Sequence, residues 1–164
     1  MGPRELLLTL GAITIFGITT LSVNRLALNN SDAIVNQQIE LYALNLAQRF
    51  IEEGKTRAFD EFTISNTPAS LPSGFTPAPL DHGVTEAYPN FDDVDDFNGL
   101  SLVQDTPVGS MTVSVSVNYV SEANLDSIVD PTKTFYKKMS VQVQSEALSN
   151  VVQADYVFAF QKNP

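Results

Sequence analysis

Between Leu6 and Val23 the chain reads LLLTLGAITIFGITTLSV, 18 residues without a formal charge. A run of that length approaches the roughly 20 apolar residues that cross a hydrocarbon core about 30 Å thick as an α-helix. Its hydroxyls, Thr9, Thr14, Thr19, Thr20 and Ser22, suit such a host because a helical Ser or Thr can donate back to a carbonyl one turn earlier. A cleavable secretory signal would carry a basic n-region, a shorter apolar core and a small-x-small cleavage site. After Val23 stands Asn24-Arg25-Leu26-Ala27-Leu28-Asn29, which offers no such site, so the run is expected to remain with the protein.

Working outward, the stretch from Asp32 to Glu53 reads DAIVNQQIELYALNLAQRFIEE. Val35, Ile39, Tyr42, Ala43, Leu46, Ala47, Phe50 and Ile51 recur at the three-and-four spacing of one helical face. Asn36, Gln37, Glu40, Asn45, Gln48, Arg49 and Glu52 fall opposite, and Gly54 marks the natural end. An apolar half thus runs into an amphipathic half, interrupted only by Asn29-Asn30-Ser31. One continuous helix of about 50 residues would extend about 75 Å, and its apolar part, residues 6–28, would need lipid or further copies of itself as cover. Gly11 and Gly17 either permit close helix approach or reflect the general frequency of glycine in membrane helices.

Beyond Thr56 the helical rhythm stops. Prolines at 68, 72, 77, 79 and 89 forbid long helices and central strands, which predicts an irregular connection over about residues 62–99. Alternation then sets in: Met111, Val113, Val115, Val117 and Tyr119 against Thr112, Ser114, Ser116 and Asn118. Met139, Val141 and Val143 alternate likewise with Ser140, Gln142 and Gln144, and Val152, Ala154, Tyr156, Phe158 and Phe160 share a parity. A short strand is expected at about Leu100 to Val103. Residues 121–133 and 146–150 read as hairpin connections. Strands with one apolar face need one cover, and Tyr42, Leu46 and Phe50 can supply it. The expected fold is α+β: a stem helix over 1–55 packed by its second half on an antiparallel β head formed by 56–164.

The chain has 164 residues, 9 basic and 19 acidic side chains, and no cysteine. Only Arg4, Glu5 and Arg25 carry charge in the first 31 residues, so the head is strongly acidic. Such a head disfavours nucleic acid, whose phosphates are bound through Lys and Arg. The adjacent pair Lys137-Lys138 reads as a solvated strand end. The absence of cysteine removes disulfides, thiolate nucleophiles and Cys-ligated zinc. His82, the one histidine, stands in the turn-like Pro79-Leu80-Asp81-His82-Gly83 and is expected to be a loop residue. No Gly-rich phosphate loop, Gly-x-Ser-x-Gly or His-Glu-x-x-His pattern occurs, and no enzymatic activity is expected.

The opening Met1-Gly2-Pro3-Arg4-Glu5-Leu6-Leu7-Leu8, a glutamate at the fifth position directly before a long apolar run, resembles the processed N-terminus of type IV pilins and pseudopilins. In that family a prepilin peptidase cuts after a glycine. The resemblance implies that Met1 and Glu5 are assembly residues, the Glu5 carboxylate pairing with the amine of Met1 in a neighbouring subunit, with Gly11 and Gly17 serving helix packing. A carboxylate beside a membrane-length run is costly unless neutralised; Arg4 next to it offers an ordinary interfacial pair as the rival partner. The sequence departs from the family at Gly2, Pro3 and Arg4, where apolar residues are usual. Ser22 stands where a proline is frequent, and the C-terminal cysteine pair is missing.

The resemblance also implies the partners: further copies in a helical filament, the membrane before assembly, the pilus assembly machinery, and an extracellular location afterwards. The alternative is a single-pass, membrane-anchored extracytoplasmic binding domain that does not polymerise. A second likeness lies in Asn90-Phe91-Asp92-Asp93-Val94-Asp95-Asp96-Phe97-Asn98-Gly99-Leu100, similar to a segment of pilin-like proteins of the minor and mannose-sensitive haemagglutinin types. Asp92, Asp93, Asp95 and Asp96 supply hard oxygen ligands suited to calcium, although the spacing is not that of an EF-hand. The competing reading is an acidic, solvated turn closed by Asn98-Gly99.

Overall fold

A computed structural model describes residues 2–65, 74–80, 86–129, 131–148 and 150–160. Met1 and His82 lie outside the described residues, as do residues 66–73 and 81–85 of the expected irregular connection. Helix α1 runs Pro3–Lys55 without a break, followed by a short α2 (Glu61–Ser65), a 3-10 turn (Asp95–Phe97) and four strands. These are β1 (Ser101–Thr106), β2 (Gly109–Tyr119), β3 (Tyr136–Gln144) and β4 (Val152–Ala159). The chain divides into two compact units, Met1–Gln38 and Ile39–Pro164, and α1 contributes to both.

In the second unit the strands form one antiparallel meander in the order β1-β2-β3-β4. Alternation decides which side chains go in: Met111, Val113, Val115, Val117 and Tyr119 of β2 and Met139, Val141 and Val143 of β3 are buried. The covering helix meets them with Ile39, Ala43, Leu46, Ala47, Phe50, Ile51 and Gly54. Gly54 matters for close approach, since a Cβ there would stand 3.2 Å from both Met139 Sδ and Phe158 Cζ. The expected cover is thus right at Leu46 and Phe50 and wrong at Tyr42, which is 41% exposed beside the buried stripe.

The irregular connection does more than link helix to sheet. Phe75, Leu80, Phe91, Val94 and Phe97 are buried and join the same core. Gly99, at φ +81°, makes the turn into β1 that Asn98-Gly99 predicts. Asn98 fixes it by accepting the Val117 N–H at 2.8 Å and donating to the Leu80 carbonyl at 2.6 Å. The first strand starts one residue later than expected and continues to Thr106.

Candidate functional site

The start of α1 is built by its own sequence. The Gly2 carbonyl accepts the N–H groups of Glu5 and Leu6 at 3.0 and 3.3 Å, so Gly2 is the cap residue and Pro3, whose missing N–H is harmless there, is the first helical residue. Glu5 reaches back to accept the Gly2 N–H at 3.0 Å through Oε2. This is the glutamate half of a capping box. Gly-Pro-x-Glu carries that signal in the sequence, and reading Glu5 only against a neighbour's Met1 and against Arg4 overlooks it.

The surface that follows is apolar and uncovered within the chain: Leu7, Leu8 and Phe16 are 72%, 74% and 74% exposed. By length and composition this part of α1 can cross a membrane. Its hydroxyls are satisfied internally. Thr9 donates to the Glu5 carbonyl at 3.0 Å, Thr14 to Leu10 at 3.1 Å, Thr19 to Ile15 at 2.6 Å, Thr20 to Phe16 at 2.8 Å and Ser22 to Ile18 at 2.8 Å. A Cβ at Gly11 or Gly17 would meet nothing within 4 Å, so both leave open space on the helix surface.

Of the four aspartates expected to act together as ligands, Asp92 alone falls in a group of carboxylates with metal-ligand spacing among the described residues. The segment just after α1 runs beside the acidic one, with Ala58 N–H on the Asp92 carbonyl and Val94 N–H on the Ala58 carbonyl, both at 3.0 Å. Asp93 turns inward and accepts the N–H of Asp95 at 2.6 Å and of Asp96 at 3.2 Å. Asp96 accepts the N–H of Asp92 and Asp93 at 3.0 and 3.1 Å. Asp93, Asp95 and Asp96 are all buried, which overturns the solvated turn. Asp92 instead joins Glu61 and Glu86, whose carboxylate oxygens lie within 4.8 Å of one another. Three carboxylates are part of a calcium donor set. A hydrogen bond to Asp96, with burial and the neighbouring carboxylates, raises Glu86 to about 7, so the group can hold a proton where a cation would otherwise balance charge.

The remaining feature is a buried cation that the sequence reading placed in solvent. Lys137 shares the parity of Met139, Val141 and Val143, so β3 carries it inward, while Lys138 emerges on the other face. Its Nζ donates to the Phe59 carbonyl at 2.8 Å and to Asp60 Oδ2 at 2.7 Å. It also lies between the oxygens of Asp95, 2.7 Å from Oδ2 and 2.6 Å from Oδ1. Rings of Phe59, Tyr119 and Phe75 surround it with centroids at 4.5, 5.2 and 5.8 Å. Parity along β3 was the signal available for Lys137; nothing local announced Asp60.

The two carboxyls behave oppositely. Burial pushes Asp60 up, but the Lys137 charge and hydrogen bond, with the N–H groups of Thr76 and Phe62, outweigh it and hold Asp60 below its ordinary value. The Tyr119 hydroxyl also donates to Asp60, at 3.2 Å. Burial raises Asp95 to about 8 against the pull of Lys137, with nearby Asp93 adding to the rise. Apart from the Lys137 ammonium 2.6 Å away, Asp95 Oδ1 has no hydrogen-bond partner among the described residues.

Comparison of the chain with protein-family models, curated proteins and solved structures found no match.

Proposed function

We propose that the protein is a non-catalytic structural subunit that polymerises through its N-terminal helix into an extracellular filament of the type IV pilus kind, displaying the acidic head. The observation that carries this reading is the uncovered apolar surface over residues 6–28, continuous with the helix segment that holds the head's core. A surface of that size needs a host. Lipid supplies it first, in the cytoplasmic membrane, and neighbouring copies supply it after prepilin peptidase and the assembly machinery have acted. Gly11 and Gly17 would give those copies room to approach, and Glu5 would pair with the Met1 amine of a neighbour.

One observation favours the second reading, a membrane-tethered domain that never polymerises: the Glu5 carboxylate already has a local partner in the Gly2 N–H. Two substitutions separate the readings. Glu5→Gln keeps an acceptor for the cap and removes the charge, whereas Glu5→Ala removes both. A filament subunit loses assembly with either variant while both still insert into the membrane. If negative-stain microscopy of sheared surface material shows Glu5→Gln fibres as abundant as wild type, the carboxylate is a helix cap and the assembly role is lost.

A further inference from the structure

Among the described residues, Lys137 is fully buried and contacts two carboxyl groups of unlike character. We propose that this site condenses with itself: Lys137 Nζ forms an amide bond to Cγ of Asp95, with Asp60 as the proton acceptor, and one water is released. The inference concerns the head alone and does not depend on filament assembly.

Geometry comes first. A nitrogen 2.6 and 2.7 Å from the two oxygens of one carboxyl is, by triangulation, within about 3 Å of its carbon, the range of a near-attack arrangement. Three elements fix it there. Lys137 stands on β3 opposite Tyr119 of β2, Asp95 opens the 3-10 turn, and Asp60 is tied by the N–H groups of Phe62 and Thr76. Holding reactants in such contact replaces an unfavourable encounter in water by an intramolecular step.

Chemistry then assigns the roles. Amide formation needs a neutral amine, a carboxyl in its acid form as electrophile, and a base. Asp60 is held as an anion by its N–H and O–H donors, which makes it the base, and its Oδ2 lies 2.7 Å from Nζ. Asp95 has no such donors among the described residues, apart from the lysine, and burial favours its acid form. The ammonium passes one proton to Asp60, and the amine lone pair adds to Asp95 Cγ. The Asp95 hydroxyl then leaves with a second proton of the original ammonium, as water. One hydrogen stays on the amide nitrogen, Asp60 ends as the acid, and the group is neutral before and after. No oxidant or activating group is required.

The surroundings favour the product. A fully buried ion pair carries a heavy desolvation cost, and a neutral amide removes both of its charges. The remaining N–H faces the acceptors that hold the ammonium, the Phe59 carbonyl and Asp60. The rings of Phe59, Phe75 and Tyr119 shield the bond from hydrolysis. In a chain without cysteine, the link would join β3 to the acidic turn as a covalent tie insensitive to reduction.

The test is the intact mass of the full chain, purified folded in detergent, beside chain recovered unfolded from inclusion bodies and kept in denaturant throughout. The folded sample is expected to be lighter by one water, and the unfolded one to have the sequence mass. Fragmentation should yield a branched peptide joining Asp95 to Lys137, and a protease specific for lysine should fail to cut after residue 137. Asp60→Asn retains the side-chain shape and should fold, by circular dichroism, yet lose the water roughly 10²-fold more slowly. A folded wild-type sample at full sequence mass overturns the proposal. So does a branch at Asp60 rather than Asp95, or an Asp60→Asn chain that links at the wild-type rate.

Discussion

Asp60 and Asp95 touch the same ammonium, and what distinguishes them is the number of other donors each can reach. Their unlike proton affinities have a consequence for stability. Asp93 is raised to about 6 by burial and by Asp96, Glu86 to about 7 and Asp95 to about 8, from ordinary values of 3.8 for the aspartates and 4.5 for glutamate. A carboxyl raised on folding binds more protons in the folded chain, so stability falls as pH climbs from the ordinary value to the raised one. Asp60 acts in the opposite sense: its contribution is present above 3.8 and disappears as pH drops through its lowered folded value. The expected outcome is a stability maximum close to the ordinary aspartate value of 3.8 and a Tm that declines from there up to about pH 8. Thermal melts of the full chain in detergent check this, and a Tm indifferent to pH over that interval contradicts it. In a chain linked at Asp95 that group no longer titrates, and its share of the decline should be absent.

At the scale of elements, the contact between α1 and the sheet depends on a residue with no side chain. A Cβ at Gly54 would press on the methionine sulfur and on the Phe158 ring; the first can yield, the second is less free to move. Gly54→Ala is therefore expected to cost about 1–3 kcal/mol by overpacking, whatever alanine gains in helix propensity. Urea unfolding should show a lower midpoint with an unchanged slope. The second half of α1 and strands β2 and β3 were legible because their burial repeats at 3.6 or 2 residues, β4 was legible from its alternating sequence although the exposed Tyr156 breaks its burial pattern, and Gly54 was legible as a stop. The connection was not. Phe75, Leu80, Phe91, Val94 and Phe97 enter the core at irregular intervals among prolines, so no period reveals them. The aspartates misled for a related reason: composition marks Asp93, Asp95 and Asp96 as solvent-facing, but backbone N–H groups supplied by the turn itself make the burial of Asp93 and Asp96 tolerable, and the Lys137 ammonium does so for Asp95. Lys137 was recoverable from the parity of β3, had that pattern been extended two residues towards its start.

For the whole molecule, the two units make separable demands on their surroundings. The first presents apolar side chains with nothing over them; the second contains a closed hydrophobic core of helix, sheet and connection. A chain beginning at Ile39 is expected to stay folded, monomeric and soluble without detergent, with far-ultraviolet circular dichroism of mixed α and β character. Aggregation of that truncated chain in sedimentation velocity would mean that the head's core is incomplete without the residues removed. The intact chain, in contrast, should partition into detergent or lipid.

The internal bonding of Thr9, Thr14, Thr19, Thr20 and Ser22 gives the first unit an unusual freedom. A hydroxyl whose proton is already given to its own backbone asks nothing of whatever lies alongside. Moving such a helix from acyl chains to the flanks of sister helices need break no polar contact and create no unmet one. Along Leu6–Val23 such an exchange of neighbours would be governed by shape and dispersion, and only the charges flanking that stretch, Arg4, Glu5 and Arg25, would carry an electrostatic toll.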